Sequence, residues 1–159
     1  MLTLLGAAIS YYAFSIEQRK SEDEEFGALC DIASWSSCSA AFSGKYGTGF
    51  GFVCDLVGEE SVLCQKNSVY GIVSYLSMVP LILIGNLITA EILLFMSLGS
   101  IAISLFLAYV LWITKNLCLV CASCYVINIL LLYYNWNSRM EIMATTYSDI
   151  EIEEIKKNN

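Results

Sequence analysis

Histidine is absent from this chain of 159 residues. That excludes every histidine general base, every Ser-His or Cys-His pair and every imidazole metal site. Proline occurs once, so there is no Pro-rich linker. Charge is scarce at 14%, against about a quarter in ordinary soluble domains. The balance of 8 Lys+Arg to 15 Asp+Glu, a net of −7, argues against an extended phosphate-binding surface, and nucleic acid is not an expected partner. What is abundant is apolar. The chain is 57% hydrophobic with a mean hydropathy of +0.64, the composition of a membrane-embedded protein. Seven cysteines are the obvious reactive groups.

The length fits a single membrane domain over 1–159. Met1 to Ile16 is apolar apart from Thr3, Ser10 and Ser15. Sixteen helical residues rise about 24 Å, short of the roughly 30 Å hydrocarbon core. The segment reads as a thin first span, or as a span whose beginning lies outside this sequence. A cleaved signal peptide is the rival, weakened by an n-region without Lys or Arg. Residues 17–66 form a substantial polar loop with nine acids against four bases. Within it, Phe42 to Phe52 interleaves glycines with aromatics and reads as a loop that dips into the interface or caps the helices. It is not a phosphate loop, since Lys45 is followed by Tyr46 and no strand precedes it.

From Asn67 to Asn137 only Glu91 and Lys115 are charged. Three more spans are expected, over 69–88 with Pro80 as a kink, 92–113 and 117–136, joined by a polar connection at 86–91 and a turn at Lys115-Asn116. Tyr133, Tyr134 and Trp136 suit an aromatic belt at the end of the last span. A polar, acidic tail follows over 139–159. Four spans put both termini on one side, and the 17–66 loop with the Lys115 turn on the other. Lys and Arg number five on the loop side and three on the tail side, so the positive-inside rule does not orient the chain. Lys156 and Lys157, fourth and third from the end, resemble the dilysine retrieval signal of endoplasmic reticulum membrane proteins, which is read from the cytosol. Read as that signal, the pair puts the tail in the cytosol and the cysteine-bearing loop in the lumen, where disulfides are permitted, while a chance solvated tail is the alternative reading.

Cys118-Leu-Val-Cys121 is a C-x-x-C at the start of a span. Positions i and i+3 of a helix lie within disulfide reach. Thiols in a first helical turn face unpaired N–H groups and the positive dipole end, which favour the thiolate. A redox pair is the leading reading. A metal site would need two further ligands without any histidine, and two small packing residues are the bland alternative. Cys30 and Cys38, eight positions apart, read alone as a stabilising loop disulfide. On the same side as the C-x-x-C they suggest a relay by thiol–disulfide exchange. Cys118 is the outermost of its pair, and Cys121 lies about 4.5 Å deeper, where a lipid-soluble oxidant could meet it. Cys54 and Cys64 are either a further loop disulfide or unpaired. Cys124, one turn below Cys121, reads as a packing residue.

The order Ala28-Leu-Cys-Asp-Ile-Ala-Ser-Trp-Ser-Ser-Cys38-Ser, Phe42-Ser, Gly47-Thr-Gly-Phe-Gly51, Asn67-Ser-Val-Tyr-Gly71 and Cys118-Leu-Val-Cys121 with Tyr125 and Asn128 resembles the vitamin K epoxide reductase family, from about Gly6 to Trp136. The resemblance implies a four-helix transmembrane bundle, an all-α integral membrane fold, holding a vitamin K quinone or its epoxide as substrate with no tightly bound cofactor. It implies that Cys121 attacks the substrate and Cys118 closes the disulfide. Cys38 then passes electrons to Cys118, and Cys30, paired with Cys38, receives them from a thioredoxin-like luminal oxidoreductase acting in trans. Asn67 and Tyr125 match the donors to the quinone oxygens, and Phe42, Tyr46 and Tyr70 match residues that wall or cap the pocket. Donors of this kind suit an oxygen that becomes an oxyanion in a dry site. Taken bare, Asn67 also reads as the N-cap of its span and Tyr125 as a core tyrosine.

Two departures lie near the expected pocket. Gly44 stands where the family often has Ser or Thr, with only Ser43 beside it carrying a hydroxyl, and Cys124 stands where the animal enzymes usually have Thr. They bear on epoxide reduction and anticoagulant sensitivity more than on quinone reduction. The rival within enzymes is a quinone-linked, disulfide-generating enzyme of oxidative protein folding, which uses the same residues. The rival outside enzymes is a disulfide-stapled four-span scaffold of claudin or tetraspanin type, which has no need of the C-x-x-C. A transporter would be expected to keep ionisable groups within its spans, and Glu91 and Lys115 both sit at ends.

Overall fold

The computed structural model describes residues 1–23, 26–28, 30–31, 37–38, 41, 45–58 and 60–158, and among these the regular structure is helical. Helix α1 runs Leu2–Glu22, the short α2 Val53–Val57, α3 Asn67–Ile84, α4 Leu87–Ile113 and α5 Leu119–Asn158. Two 3-10 turns, Lys45–Gly47 and Gly49–Gly51, lie in the loop ahead of α2. Helix α1 packs chiefly on α3, and α4 on α5, while α1 also meets α5 and α3 meets α4.

Small residues allow the α1–α3 contact. Thr3, Gly6, Ser10, Ala13 and Glu17 recur every three or four positions and form the buried stripe of α1, with Ile16 beside it. A Cβ on Gly6 would lie 2.7 Å from the Tyr75 ring, which leaves room only for glycine, and one on Gly71 would lie 2.6 Å from Ser10 Oγ and push that hydroxyl aside. A polar chain links the other helices. Tyr75 on α3 donates to Asn128 Oδ1 on α5 at 2.8 Å, and Asn128 Nδ2 donates to Ser104 Oγ on α4 at 2.9 Å.

Three helical stretches are long and apolar enough to cross a membrane, namely Asn67–Ile84, Leu87–Ile113 and Leu119–Lys157. Their outward side chains, among them Leu83, Phe95, Leu105, Tyr109 and Ile129, are exposed in the isolated chain, as expected of faces solvated by lipid. The protein is a multi-pass membrane protein with α1 as a further helix. Pro80 stands inside α3 without ending it, at the loss of one backbone hydrogen bond.

The helix ends differ from the sequence reading in four places. Helix α1 runs on to Glu22, past the span expected to end at Ile16 and into the segment read as loop. The polar connection expected at 86–91 shrinks to Gly85, which is left-handed, and Asn86. Asn86 Oδ1 accepts the Thr89 N–H at 2.9 Å while Thr89 Oγ1 accepts the Asn86 N–H at 3.0 Å, so a capping box starts α4 early and Glu91 joins the helix. The tail expected after Trp136 is helical as far as Asn158, because residues 139–158 lack Gly and Pro and end with Lys156 and Lys157 against the negative dipole end. Asn67 is not an N-cap. It is the first residue of α3, and Lys66 occupies the cap position without a side-chain bond.

Candidate active site

The turn between α4 and α5 brings the cysteines together. Lys115 adopts a left-handed conformation (φ 51°) and reverses the chain after α4. Asn116 then clasps the loop: its Oδ1 accepts the Ser37 N–H at 3.0 Å and its Nδ2 donates to the Ser37 carbonyl at 2.9 Å. This pairing seats Cys38 beside the start of α5. Cys30 and Cys38 are joined in a disulfide, with Cα atoms 5.9 Å apart. Cys38 (0% exposed) and Cys118 (1%) lie in one buried cluster with Cys30, Ala13, Ile16, Ala28 and Val120, and Cys121 packs against it. Asp31 stands near Cys30 and Cys38, a grouping that resembles a metal site, but the two sulfurs are spent on each other.

Cys118, Cys121 and Cys124 are free thiols. Cys118 immediately precedes α5, and its Sγ accepts the Cys121 N–H at 3.2 Å. A donated N–H and the dipole of α5 both favour the anionic form of this sulfur. Cys118 borders an outer hollow beside Trp112, Asn116 and Leu117. Cys121 and Cys124 instead line a cavity of about 320 Å³ between α1, α3, α4 and α5.

That cavity is lined by apolar side chains together with a few polar ones. Tyr125 lines it, and its hydroxyl is buried with no hydrogen-bond partner among the described residues. An unmade bond of this kind costs about 1–3 kcal/mol, which an oxygen of a bound molecule would recover. Asn67 lines it as well, with its side chain tied to the loop: Oδ1 accepts the Phe50 N–H at 2.9 Å, and Nδ2 donates to the Tyr46 carbonyl at 2.6 Å. One N–H of the amide stays available. Phe50 covers the cavity from the loop and stacks on Tyr70 with ring centroids 5.0 Å apart. Phe52 and Tyr46 pack edge-on against Phe106 of α4. Gly51 (φ 81°) admits this fold of the loop, since a Cβ there would sit 2.4 Å from the Tyr46 ring.

The family model of the vitamin K epoxide reductase family matches residues 1–136. The chain is 37% identical over 129 residues to vitamin K epoxide reductase complex subunit 1 of Mus musculus, covering 80% of each. It is 37% identical over 128 residues to the same subunit of Rattus norvegicus, again with 80% of each covered. The chain belongs to the vitamin K epoxide reductase family.

As a member of that family it is an enzyme, a membrane thiol oxidoreductase, and its expected site residues can be located. Cys121, Asn67, Tyr70 and Tyr125 line one cavity. Cys30, Cys38 and Cys118 gather above it. Tyr46 is not among the cavity-lining residues and touches the site through its carbonyl on Asn67. Phe42, with Ser43 and Gly44, lies outside the described residues. Cys54 and Cys64, left open by sequence, form a disulfide that closes the segment carrying α2. Cys124, expected to pack, also lines the cavity.

Sequence reasoning missed Glu17, assigned above to the polar loop. It is 5% exposed and accepts a hydrogen bond from Ser68 Oγ. The available signal was the spacing 3, 6, 10, 13, 17, which continues the buried stripe of α1 past the apolar run.

Proposed function

We propose that this enzyme reduces vitamin K quinone, and vitamin K epoxide, through a relay of two cysteine pairs. The observation that carries the reading is the packing of the Cys30–Cys38 disulfide and Cys118 in one buried cluster while Cys121 opens to the apolar cavity. Cys121 bonds to the substrate ring. Cys118 then attacks the Cys121 sulfur, so the ring leaves with the electron pair and the Cys118–Cys121 disulfide forms. The cysteine pair thereby supplies two electrons, and two protons go to the substrate oxygens. A quinone leaves as hydroquinone, and an epoxide leaves as quinone plus water. Recovery starts at the outer pair: a thioredoxin-like dithiol protein reduces Cys30–Cys38, the freed Cys38 thiolate attacks Cys118 to give a mixed disulfide and release Cys121, and Cys30 then closes on Cys38 and releases Cys118. Tyr125 donates to one quinone oxygen, and the remaining N–H of Asn67 donates to the other while its other bonds hold the loop over the cavity.

In this reading α1, α3, α4 and α5 form a four-helix transmembrane bundle in the endoplasmic reticulum, with the cysteine loop luminal and the end of α5 cytosolic. A glycosylation acceptor placed near Glu22 is then modified and one placed after Asn159 is not, and the reverse pattern overturns the orientation. The function is tested by expressing the protein in cells lacking their own activity and supplying epoxide and quinone separately. Turnover of quinone alone removes the epoxide step, and turnover of neither removes the reading.

A further inference from the structure

The reaction just described needs two protons at the substrate oxygens for every disulfide formed. If Cys118 rests as a thiolate, as its Cys121 N–H contact favours, the C-x-x-C pair holds only one of them. The other must reach a cavity that has no histidine beside it. One carboxyl is built into the wall of this region. Glu17 Oε2 accepts from Ser68 Oγ, and Oε1 has no partner among the described residues although it is buried. Ser68 itself lines the cavity, one residue after Asn67 and on the same helix as Tyr70. A carboxyl placed for stability alone would have both oxygens satisfied.

We propose that Glu17 holds the second proton and delivers it through the Ser68 hydroxyl to the substrate oxygen facing that wall, an inference that rests on the quinone reading above. The carboxylic acid donates to Ser68 Oγ, and the Ser68 hydroxyl donates its own hydrogen to the oxygen. The products are hydroquinone, the Cys118–Cys121 disulfide and the Glu17 carboxylate, which then accepts from Ser68 as observed. One thiolate, one thiol and one carboxylic acid are consumed, and charge is unchanged at −1. When the relay reduces the disulfide again, two protons arrive. One stays on the pair and the other returns to Glu17. Glu17 acts through Ser68 and is a positioning and proton-storing residue, not one that touches substrate.

Its surroundings suit the task. Burial, the largest influence, holds the carboxyl up at about 7, well above an ordinary carboxylate. The groups facing it are the Ser68 hydroxyl and Lys66 at the start of α3, whose effects oppose the burial, and the Cys121 thiol of α5. On its own helix Arg19 lies over the Phe26 ring and Lys20 donates to the Phe26 carbonyl.

The test is a single turnover of pre-reduced full-length protein in detergent, with a short-chain naphthoquinone as probe, from pH 5.5 to 9. The wild-type rate should fall as pH rises through about 7, as the acid form is lost. Glu17→Gln, which still accepts the Ser68 hydrogen bond, should lose that alkaline limb and slow at least ten-fold at pH 6. Ser68→Ala should do the same, Ser68→Thr should restore both rate and limb, and the double variant should be no slower than either single. A Glu17→Gln or Ser68→Ala protein with the wild-type rate and limb overturns the proton path while leaving the quinone reading standing. If Glu17→Gln does not fold, Ser68→Ala decides alone. Wild-type protein that leaves the naphthoquinone untouched while its thiols remain titratable overturns both.

Discussion

At the tail end of the helices, Arg139 on α5 meets Glu91 on α4 at 2.7 Å, and Asn135 Nδ2 donates to Ser97 Oγ at 2.7 Å. They lie near a hollow of about 520 Å³ between Leu2, Leu81, Leu93 and Leu131. At the loop end the smaller cavity of about 320 Å³ is walled by the same helices. Volume therefore does not mark the site. Among the described residues, the buried polar side chains of the tail end all have partners inside the protein. The buried side-chain oxygens without a partner among the described residues, Tyr125 Oη and Glu17 Oε1, both belong to the loop end. So do all seven cysteines. An apolar hollow becomes a candidate reactive site where polar atoms are left unspent and sulfur borders it.

This contrast breaks most sharply at Cys121. Cys121→Ser should abolish turnover with any electron donor, whereas Ser97→Ala at the tail end should leave turnover unchanged; a Cys121→Ser protein that still converts quinone would remove the site from the cavity. Next comes the outer pair. Cys30→Ser or Cys38→Ser should stop turnover with a thioredoxin-like protein reductant and preserve it with a small membrane-permeable dithiol. Cys30→Ser combined with Cys121→Ser should accumulate a Cys38–Cys118 bridge, detected as a linked peptide by mass spectrometry. A merely structural staple predicts equal losses with both reductants and no such peptide.

The pH dependence of stability separates the ends in a third way. The Glu17 carboxyl, ordinarily near 4.5, is held at about 7 by burial. The folded state therefore prefers the neutral acid, and stability present below about pH 4.5 is lost as pH rises through 7. Glu17→Gln should recover up to about 3 kcal/mol at pH 8, read as a higher midpoint of thermal unfolding in detergent, and nothing at pH 4. Equal midpoints at pH 8 would refute the buried charge. Tyr125→Phe should slow turnover several-fold, in keeping with about 0.5–1.5 kcal/mol for one neutral hydrogen bond, at unchanged expression. The smallest effect belongs to the tail end. Glu91→Ala should cost about 0–1 kcal/mol, as partly exposed ion pairs do, and leave kcat unaltered.

How much was legible in sequence follows the range of the forces involved. The helices α3 and α4 were legible because apolar runs and near-absence of charge are local properties, and the C-x-x-C was legible because i and i+3 share a helix face. The early start of α4 was also written locally, in Asn86 and Thr89, but a polar connection is the simpler reading of the same residues. The helical tail was not anticipated, since an acidic composition suggests solvation without saying whether the backbone coils. The Cys54–Cys64 bond was beyond sequence, because connectivity depends on where a loop folds back.

The composition by itself determined that this protein lives in a membrane, that its reactivity rests on sulfur and that histidine chemistry is closed to it. The order of its motifs determined the family. The tertiary structure alone decided which sulfur faces which partner. Asn116 had to grasp Ser37, 79 positions away, before Cys38 could lie against Cys118. It alone decided that Asn67 spends two bonds on the loop and that Glu17 turns inward to Ser68. The Glu17–Ser68 contact depends on α1 and α3 approaching at Gly6 and Gly71, where the missing side chains let helix surfaces touch. Such contacts join residues far apart in the chain, and no local pattern records them.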